Sequence, residues 1–389
     1  MIYLDHAATT PLSDAAWQAM APVLKDVYGN PSSMHRLGRD ARNHLTRARE
    51  RMAGLFNAST RDLYFTSGAT EANNWALRAG AGLAAQKGCR HILTTAIEHP
   101  SVLAVCESLE AEGFVITYLK PNANGLILPE LVEAALQADT GLVSIQWVNN
   151  EIGSMQDIEA IGALVRARGI LFHTDAVQAI AHQRIDWPSF PADFLTFSGH
   201  KVGGPKGVGA LLTRSVRGTA IELEPLIVGG RQERGRRAGT ENLSGIVGMA
   251  AALDDTLERM TETGERQGRC AKRLIAALEE ASLDFTLHGP SLDESNRRVP
   301  GILNLYFSNT DGQTMLLLLD RAGVAVSLGS ACEAGSTEPS HVLAALGLND
   351  QEAASSIRIS LGAGTTADDI EATAKAIVSS VQSILSRLR

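Results

Sequence analysis

The sequence predicts an α/β chain: a large domain built on a mostly parallel seven-stranded sheet flanked by helices, plus a smaller α+β domain. Three observations lead there. Seven short apolar runs alternate with helical patterns through the first half of the chain. The pattern changes near Asp254. A length of 389 residues exceeds what one simple core holds and suits two domains sharing a cleft.

The strand-like runs are Leu63–Thr66, His91–Thr95, Val115–Leu119, Leu142–Val148, Ile170–Thr174, Phe194–Phe197 and Val208–Leu212. They are short and apolar, as strands buried on both faces read. Helical patterns at Glu71–Gln86, Pro100–Glu112, Pro129–Ala138 and Ile158–Arg168 separate several of them. Strand and helix in alternation imply a parallel sheet with helices on both faces. A long helical stretch, Ala251–Ala281, then leads into strand-like Ile302–Tyr306, Val324–Val326 and Ile357–Ser360. The last segment places Ile370, Ala374, Ile377, Val381, Ile384 and Leu388 on one helical face. The expected division is a large domain over residues 16–255 and a small one over 1–15 and 256–389.

Composition narrows the function. Apolar residues make up 44% and charged residues 20%, so a core forms without metals or disulfides. The formal net charge of −8 argues against direct nucleic-acid binding, which needs a basic face. Cys89, Cys106, Cys270 and Cys332 show no CxxC spacing, so a resident metal site has no support and reduced cytoplasmic thiols fit better. Met1–Thr10 has no basic region before an apolar stretch and is not expected to be a signal peptide. No apolar run is long enough to span a bilayer.

In open α/β sheets, ligands sit at the carboxyl ends of strands, and the chemistry-bearing residues cluster there. Ser198-Gly199-His200-Lys201 follows the run Phe194–Phe197, and glycines follow it. A lysine so placed can form a Schiff base if burial or neighbouring cations lower its pKa; otherwise it is a surface loop lysine. Asp175 ends the run from Ile170 and either pairs with a ring nitrogen or caps a helix. Ser67-Gly68-Ala69-Thr70 joins a strand to a helix, where free backbone N–H groups bind phosphate; a plain capping box is the alternative. His99 can stack on a planar ring and move protons, or be structural. Asn149-Asn150 holds a carboxylate or makes a turn.

Two further segments stand out. Cys332 sits in Ser327-Leu328-Gly329-Ser330-Ala331-Cys332-Glu333-Ala334-Gly335-Ser336, a small-residue segment typical of exposed loops, whereas cysteine is usually buried. Gly229–Thr240 is basic and glycine-rich, fit for a phosphate, another subunit or solvent. Arg358 is a charge inside an apolar strand pattern and suits a bidentate grip on an α-carboxylate.

Taken in order with Tyr3–Thr10, Tyr28–Ser33, Arg237–Asn242 and Glu338–Leu343, these motifs resemble the cysteine desulfurases of the NifS/IscS type, in the aminotransferase class V group of pyridoxal-phosphate (PLP) enzymes. The resemblance spans nearly the whole chain and implies the PLP-dependent transferase fold (fold type I). It implies that Lys201 carries pyridoxal 5'-phosphate and shuttles protons, that Asp175 pairs with the pyridinium, and that His99 stacks on the ring. Gln178 would contact the phenolic oxygen. Ala69, Thr70, Ser198 and His200 would hold the phosphate, joined by Thr240 of a partner subunit, which implies a homodimer. Asn150 and Arg358 would grip the carboxylate of the L-cysteine substrate. Cys332 would take the sulfur as a persulfide, release L-alanine, and pass the sulfur to an acceptor protein in iron–sulfur cluster assembly or thiolation. Cys332 could also ligate an iron–sulfur cluster transiently; no other metal is implied.

Leu328 and Gly203 stand where relatives often carry polar or larger residues. The chain runs to Arg389, directly after the last predicted helix, without the docking tail of many housekeeping members. The acceptor stays open among an iron–sulfur scaffold, a tRNA thiolation enzyme and DNA phosphorothioation machinery. Selenocysteine lyase or another PLP β-eliminating lyase is the alternative enzyme, separated by whether Cys332 is needed. A sulfur carrier using PLP structurally is the non-catalytic alternative, against which the complete set Lys201, Asp175, His99 and Cys332 argues.

Overall fold

The computed structural model describes residues 1–216, 219–221, 223–329 and 339–387; Cys332 lies outside the described residues. In chain order the elements begin with β1 (Ile2–Tyr3), α1 (Asp14–Asp26), α2 (Arg36–Leu55), β2 (Leu63–Thr66), α3 (Ala69–Gln86), β3 (His91–Thr95), α4 (Pro100–Ala111) and β4 (Val115–Leu119). Then come α5 (Pro129–Ala135), β5 (Thr140–Ser144), α6 (Ile158–Ala167), β6 (Leu171–Asp175), β7 (Phe194–Ser198), β8 (Gly209–Thr213) and the short β9 (Ser215–Val216) and β10 (Thr219–Ala220). The rest comprises α7 (Gln232–Gly235), α8 (Leu243–Glu258), α9 (Met260–Glu280), β11 (Phe285–His288), β12 (Ile302–Phe307), α10 (Gly312–Arg321), β13 (Val324–Ala325), β14 (Ser327–Leu328), α11 (His341–Ala345), α12 (Asp350–Ala354), β15 (Ser356–Ser360) and α13 (Ala367–Arg387).

The central sheet has seven strands in the order β2-β8-β7-β6-β5-β3-β4. The pairs β4–β3, β3–β5, β5–β6 and β6–β7 are parallel. Only β8 runs against its neighbours β7 and β2. The connection 199–208 is too short to hold the crossover helix that a parallel return needs. Strands β2, β3, β5, β7 and β8 are buried along their whole length, which explains why they carry apolar residues without the strict apolar–polar alternation of a half-exposed strand. The edge strand β4 keeps Val115 exposed.

A second, antiparallel sheet, β11-β12-β15-β14, carries its own core of Leu303, Leu305, Ile357, Ile359, Leu274 and Ile377. Leu4 joins that core, and β1 pairs in parallel with β13. The N-terminal segment thus crosses to the second sheet, while Ala7, three residues on, belongs to the core of the first.

Three local expectations need correction. The predicted strand Leu142–Val148 spans Thr140–Ser144, and Ile145–Val148 continue as buried irregular chain. The long helix predicted over Ala251–Ala281 is two helices broken at Arg259, the first starting at Leu243 with Asn242 as its cap, accepting from Gly245 N at 3.2 Å. Val324–Val326 is strand only at Val324–Ala325, β13, which pairs with β1; the separate strand β14 begins at Ser327 and pairs with β15.

Candidate functional site

A cavity of about 590 Å³ opens at the carboxyl ends of β2, β3, β5, β6 and β7. Parallel strands deliver their loops to one edge of a sheet, so residues far apart in sequence meet there. Ala69, Thr70, His99, Asn150, Asp175, Gln178, Ser198, His200 and Lys201 all line this one space. Arg358 and Thr240 do not, and Cys332 is outside the described residues.

At one wall, β2 runs into Ser67-Gly68 and α3 begins. The cap is Gly68, and no side chain satisfies the first turn; the capping box was one reading of this turn, but the backbone N–H that Glu71 accepts is that of Ser67, at 2.8 Å, rather than the cap's own. Backbone N–H groups at such an end carry the positive side of the helix dipole. Gly209 of β8 presses on this turn: a Cβ there would lie 2.7 Å from Gly68 C and Cα. Ser198 and His200 close the wall. Burial, with Lys201 and Lys206 adding to it, pushes the His200 pKa down to about 4, so the ring is neutral near pH 7. Its Nδ1 lies 3.1 Å from Thr9 Oγ1.

Asp175 forms the floor. Its Oδ1 accepts from Val177 N at 2.9 Å, and its Oδ2 from Asn73 Nδ2 at 2.7 Å. Asn73 is fully buried on α3. Its amide also donates to Ser101 Oγ at 2.9 Å, and its carbonyl accepts from Thr196 Oγ1. Ser101 Oγ lies 2.8 Å from His99 Nδ1, which also accepts from Ser101 N at 3.1 Å. A ring nitrogen that accepts a backbone N–H carries no proton, so neutral His99 keeps its hydrogen on Nε2; the tautomer follows from the network. Burial lowers the His99 pKa, Asp175 opposes this, and Lys201 and His341 reinforce it. Asp175, Asn73, Ser101 and His99 form one relay of fixed polarity.

Lys201 stands half-buried in the short helical turn after β7. Its Nζ donates to Ala7 O and, at 2.9 Å, to Ala8 O. Gln178 Nε2 donates to Ala7 O at 2.8 Å. The N-terminal segment therefore forms the wall behind the lysine. Arg358 is buried to 1% exposure, bonded through Nη2 to Asp5 Oδ1 at 2.8 Å and through Nη1 to Asn150 O at 3.2 Å. Its Nε has no partner among the described residues. Thr240 is exposed and lines a neighbouring cavity of about 220 Å³, which shares Ser67 and Gly207 with the first. Arg237, in the same loop, makes a bidentate pair with Glu71 at 2.8 and 2.9 Å.

Sequence reasoning missed Asn73, Ser101, Thr196, Glu98 and the Ala7 and Ala8 carbonyls. Asn73 had a signal: it is a polar residue one turn after Ala69-Thr70, among the buried positions Ala72 and Ala76. Glu98 is fully buried; it accepts from Thr95 Oγ1 at 2.8 Å and from Gln146 N at 2.9 Å, and burial pushes its pKa up to about 8.

The set fits pyridoxal phosphate. A phosphate matches the uncapped start of α3 and the hydroxyl of Ser198. A ring nitrogen matches Asp175, already oriented by two donors. An aldehyde matches an amine held by two carbonyls. No helix is long and apolar enough to cross a membrane, and no group of three or more His, Cys, Asp or Glu could hold a metal ion, both among the described residues.

Residues 2–373 match the aminotransferase class-V family. A protein of Bacillus subtilis (strain 168) named putative cysteine desulfurase IscS 1 is 44% identical over 382 residues, covering 98% of each chain. Among solved structures, a NifS-like protein superposes with a TM-score of 0.89 at 34% identity, covering 99% of each chain. One titled SspA in complex with cysteine gives 0.79 at 36% identity, over 93% of this chain and 99% of that one.

Proposed function

The chain belongs to the aminotransferase class-V family, and we propose that within it the chain acts as a cysteine desulfurase, moving sulfur from L-cysteine to Cys332 and releasing L-alanine. One observation carries the reading: a single cavity brings together Lys201, Asp175, His99 and the uncapped start of α3. Relatives over nearly the full length bear the name cysteine desulfurase, and a related structure is described as a complex with cysteine.

Lys201 would hold pyridoxal phosphate covalently, Asp175 would keep its ring nitrogen protonated, and His99 and Gln178 would flank the ring. Ala69, Thr70, Ser198 and His200, with Thr240 of the partner subunit, would hold the phosphate. When bound, the cofactor supplies an electron sink that acidifies the substrate's Cα proton. Lys201 Nζ moves that proton. The fixed relay from Asp175 to His99 keeps Nε2–H available for exchange in the cavity. Asn150 and Arg358 hold the carboxylate, with Arg358 already oriented by Asp5. The Cys332 thiolate then forms an S–S bond to the substrate sulfur as the Cβ–S bond breaks. The bonding pair stays with carbon, which gains a proton and leaves as alanine. One thiol and one cysteine become one persulfide and one alanine, so electrons balance. The persulfide passes to an acceptor protein.

The same reading takes in a cytoplasmic homodimer, since Thr240 serves a neighbour's site, with residues 16–255 as the cofactor domain. Sizing chromatography of the active protein tests the dimer; an active monomer contradicts it. The deciding experiment compares wild type with Cys332→Ala, supplying L-cysteine and a reductant and assaying alanine and sulfide together. Wild type should form both, and the variant should lose sulfide while keeping the cofactor spectrum. Equal turnover by the variant would refute the persulfide step.

A further inference from the structure

Residues on both sides of the segment that contains Cys332 converge on one buried carboxylate. Glu151, 3% exposed, follows the carboxyl end of β5. On the far side of the segment, Ser340 donates from Oγ to Glu151 Oε2 at 2.5 Å. On the near side, Gly329 packs so closely that a Cβ there would sit 2.5 Å from the same Oε2 and 3.4 Å from Ser340 Cβ. Gly329 and Ser340 are both buried.

Each side has further anchors on described residues. Ser327 and Leu328 pair with Arg358 and Ile357 of β15 just before Gly329. After Ser340, His341 Nε2 lies 2.9 Å from Glu98 O, and Val342 and Leu343 pack on Ile97 and Ile152. Glu151 is itself fixed by Asn149, whose Oδ1 accepts from Glu151 N at 2.9 Å and Ile152 N at 3.0 Å, while its amide donates to Ile97 O at 3.0 Å. The carboxylate thus sits on a rigid turn of the cavity rim, one residue after Asn150.

We propose that Glu151 is a positioning residue for sulfur transfer: by holding Gly329 and Ser340 together it fixes where the Cys332-bearing segment starts and ends relative to the cavity. This rests on the reading of Cys332 as the sulfur acceptor. Glu151 is not among the residues that line the cavity around Lys201. Reach is sensitive to such anchoring, since a misplacement of about 1 Å costs on the order of 100-fold in rate.

The test separates two activities of the holoenzyme. Cα hydrogen–deuterium exchange of L-alanine in D₂O needs the cofactor and Lys201 but no thiol. Sulfide release from L-cysteine with a reductant needs both. Glu151→Ala should lose roughly 100-fold in sulfide release with alanine exchange unchanged. Gly329→Ala, which pushes the carboxylate away, should show the same split. Glu151→Gln keeps an acceptor for Ser340 and should restore most of the sulfide release. Parallel loss of both activities in Glu151→Ala, or loss of neither, overturns the inference, as does a Glu151→Gln enzyme as impaired as the alanine variant. Cys332→Ala run alongside assigns the failure. If it turns over as wild type, the acceptor reading falls and this inference with it. If it is inactive while Glu151→Ala is unimpaired, only the role of Glu151 falls.

Discussion

Replacing Asn73 by alanine should disable the floor of the site without removing any cavity-lining side chain. Three hydrogen bonds converge on this fully buried amide: to the Asp175 carboxylate at 2.7 Å, to Ser101 Oγ at 2.9 Å and from Thr196 Oγ1. A bond to a charged group contributes about 1.5–3 kcal/mol and a neutral one about 0.5–1.5 kcal/mol. All three partners stay buried and lose a mate, so the expected loss is about 4 kcal/mol. For 389 residues, with unfolding entropy near 2.1 cal/mol/K per residue, that lowers Tm by about 5 °C. Calorimetry of the cofactor-free protein gives the stability, and a spectrophotometric pyridoxal-phosphate titration gives the function. Asp175 Oδ2 would turn from its fixed direction and Ser101 would no longer be oriented toward His99, so cofactor affinity should fall as well. A Tm shift of less than about 1 °C with an unchanged titration would refute the relay.

Two other substitutions probe the same architecture. The pKa of Glu98 is raised from 4.5 to about 8, chiefly by burial, against the bonds from Gln146 and Thr95 and with Asp175 adding to it. The folded state therefore favours the protonated form: its stabilising contribution is complete below about pH 4.5 and fades as pH rises to about 8. Unfolding free energies of wild type from urea titrations should fall across that window by a few kcal/mol relative to Glu98→Gln; parallel curves would show that Glu98 does not titrate there. Gly209→Ala would place its methyl 2.7 Å from Gly68 and 2.8 Å from Phe197 O, both backbone. Overpacking of this kind costs about 1–3 kcal/mol, and displacement of the Gly68 turn should weaken pyridoxal-phosphate binding about tenfold; an unaltered titration would remove that turn from the phosphate site.

The parallel sheet was legible because short apolar-centred runs alternate with helical patterns: His91–Thr95 and Val115–Leu119 match residue for residue, although Val115 is exposed at the sheet edge. The strand was read past Ser144 because Ile145–Val148 are as buried as strand residues, and Ile145 N and Trp147 N still bond to His173 O and Asp175 O of β6. The two-residue strand β1 carries too little pattern to read, and its pairing with β13 is set by tertiary contacts. The antiparallel β8 follows from a connection length rather than from composition. At the site, ionisable residues at strand ends were visible, since Lys201, Asp175 and His99 each follow an apolar run. The groups that orient them were not. Asn73, Ser101 and the Ala7 carbonyl look ordinary in sequence, and only packing across elements gives them partners. Arg358 shows both sides: its charge in a strand announced a purpose, but its ion pair with Asp5, 353 residues away, leaves no sequence trace.

The N-terminal segment makes the order of synthesis matter. Ile2 pairs with Val324, Asp5 bridges to Ser360 and bonds to Arg358, and Ala7 and Ala8 receive the amine of Lys201. Ile2 and Asp5 thus find these partners more than 300 residues later in the chain. At about 5–20 residues per second, the stretch from Ile2 to Val324 takes roughly 15–65 s to translate. Through that interval the seven-stranded sheet can assemble and Gln178 and Lys201 can engage Ala7, but the partners of Ile2 and Asp5 are not yet made. The wall behind Lys201 is therefore complete only once the second sheet has been made.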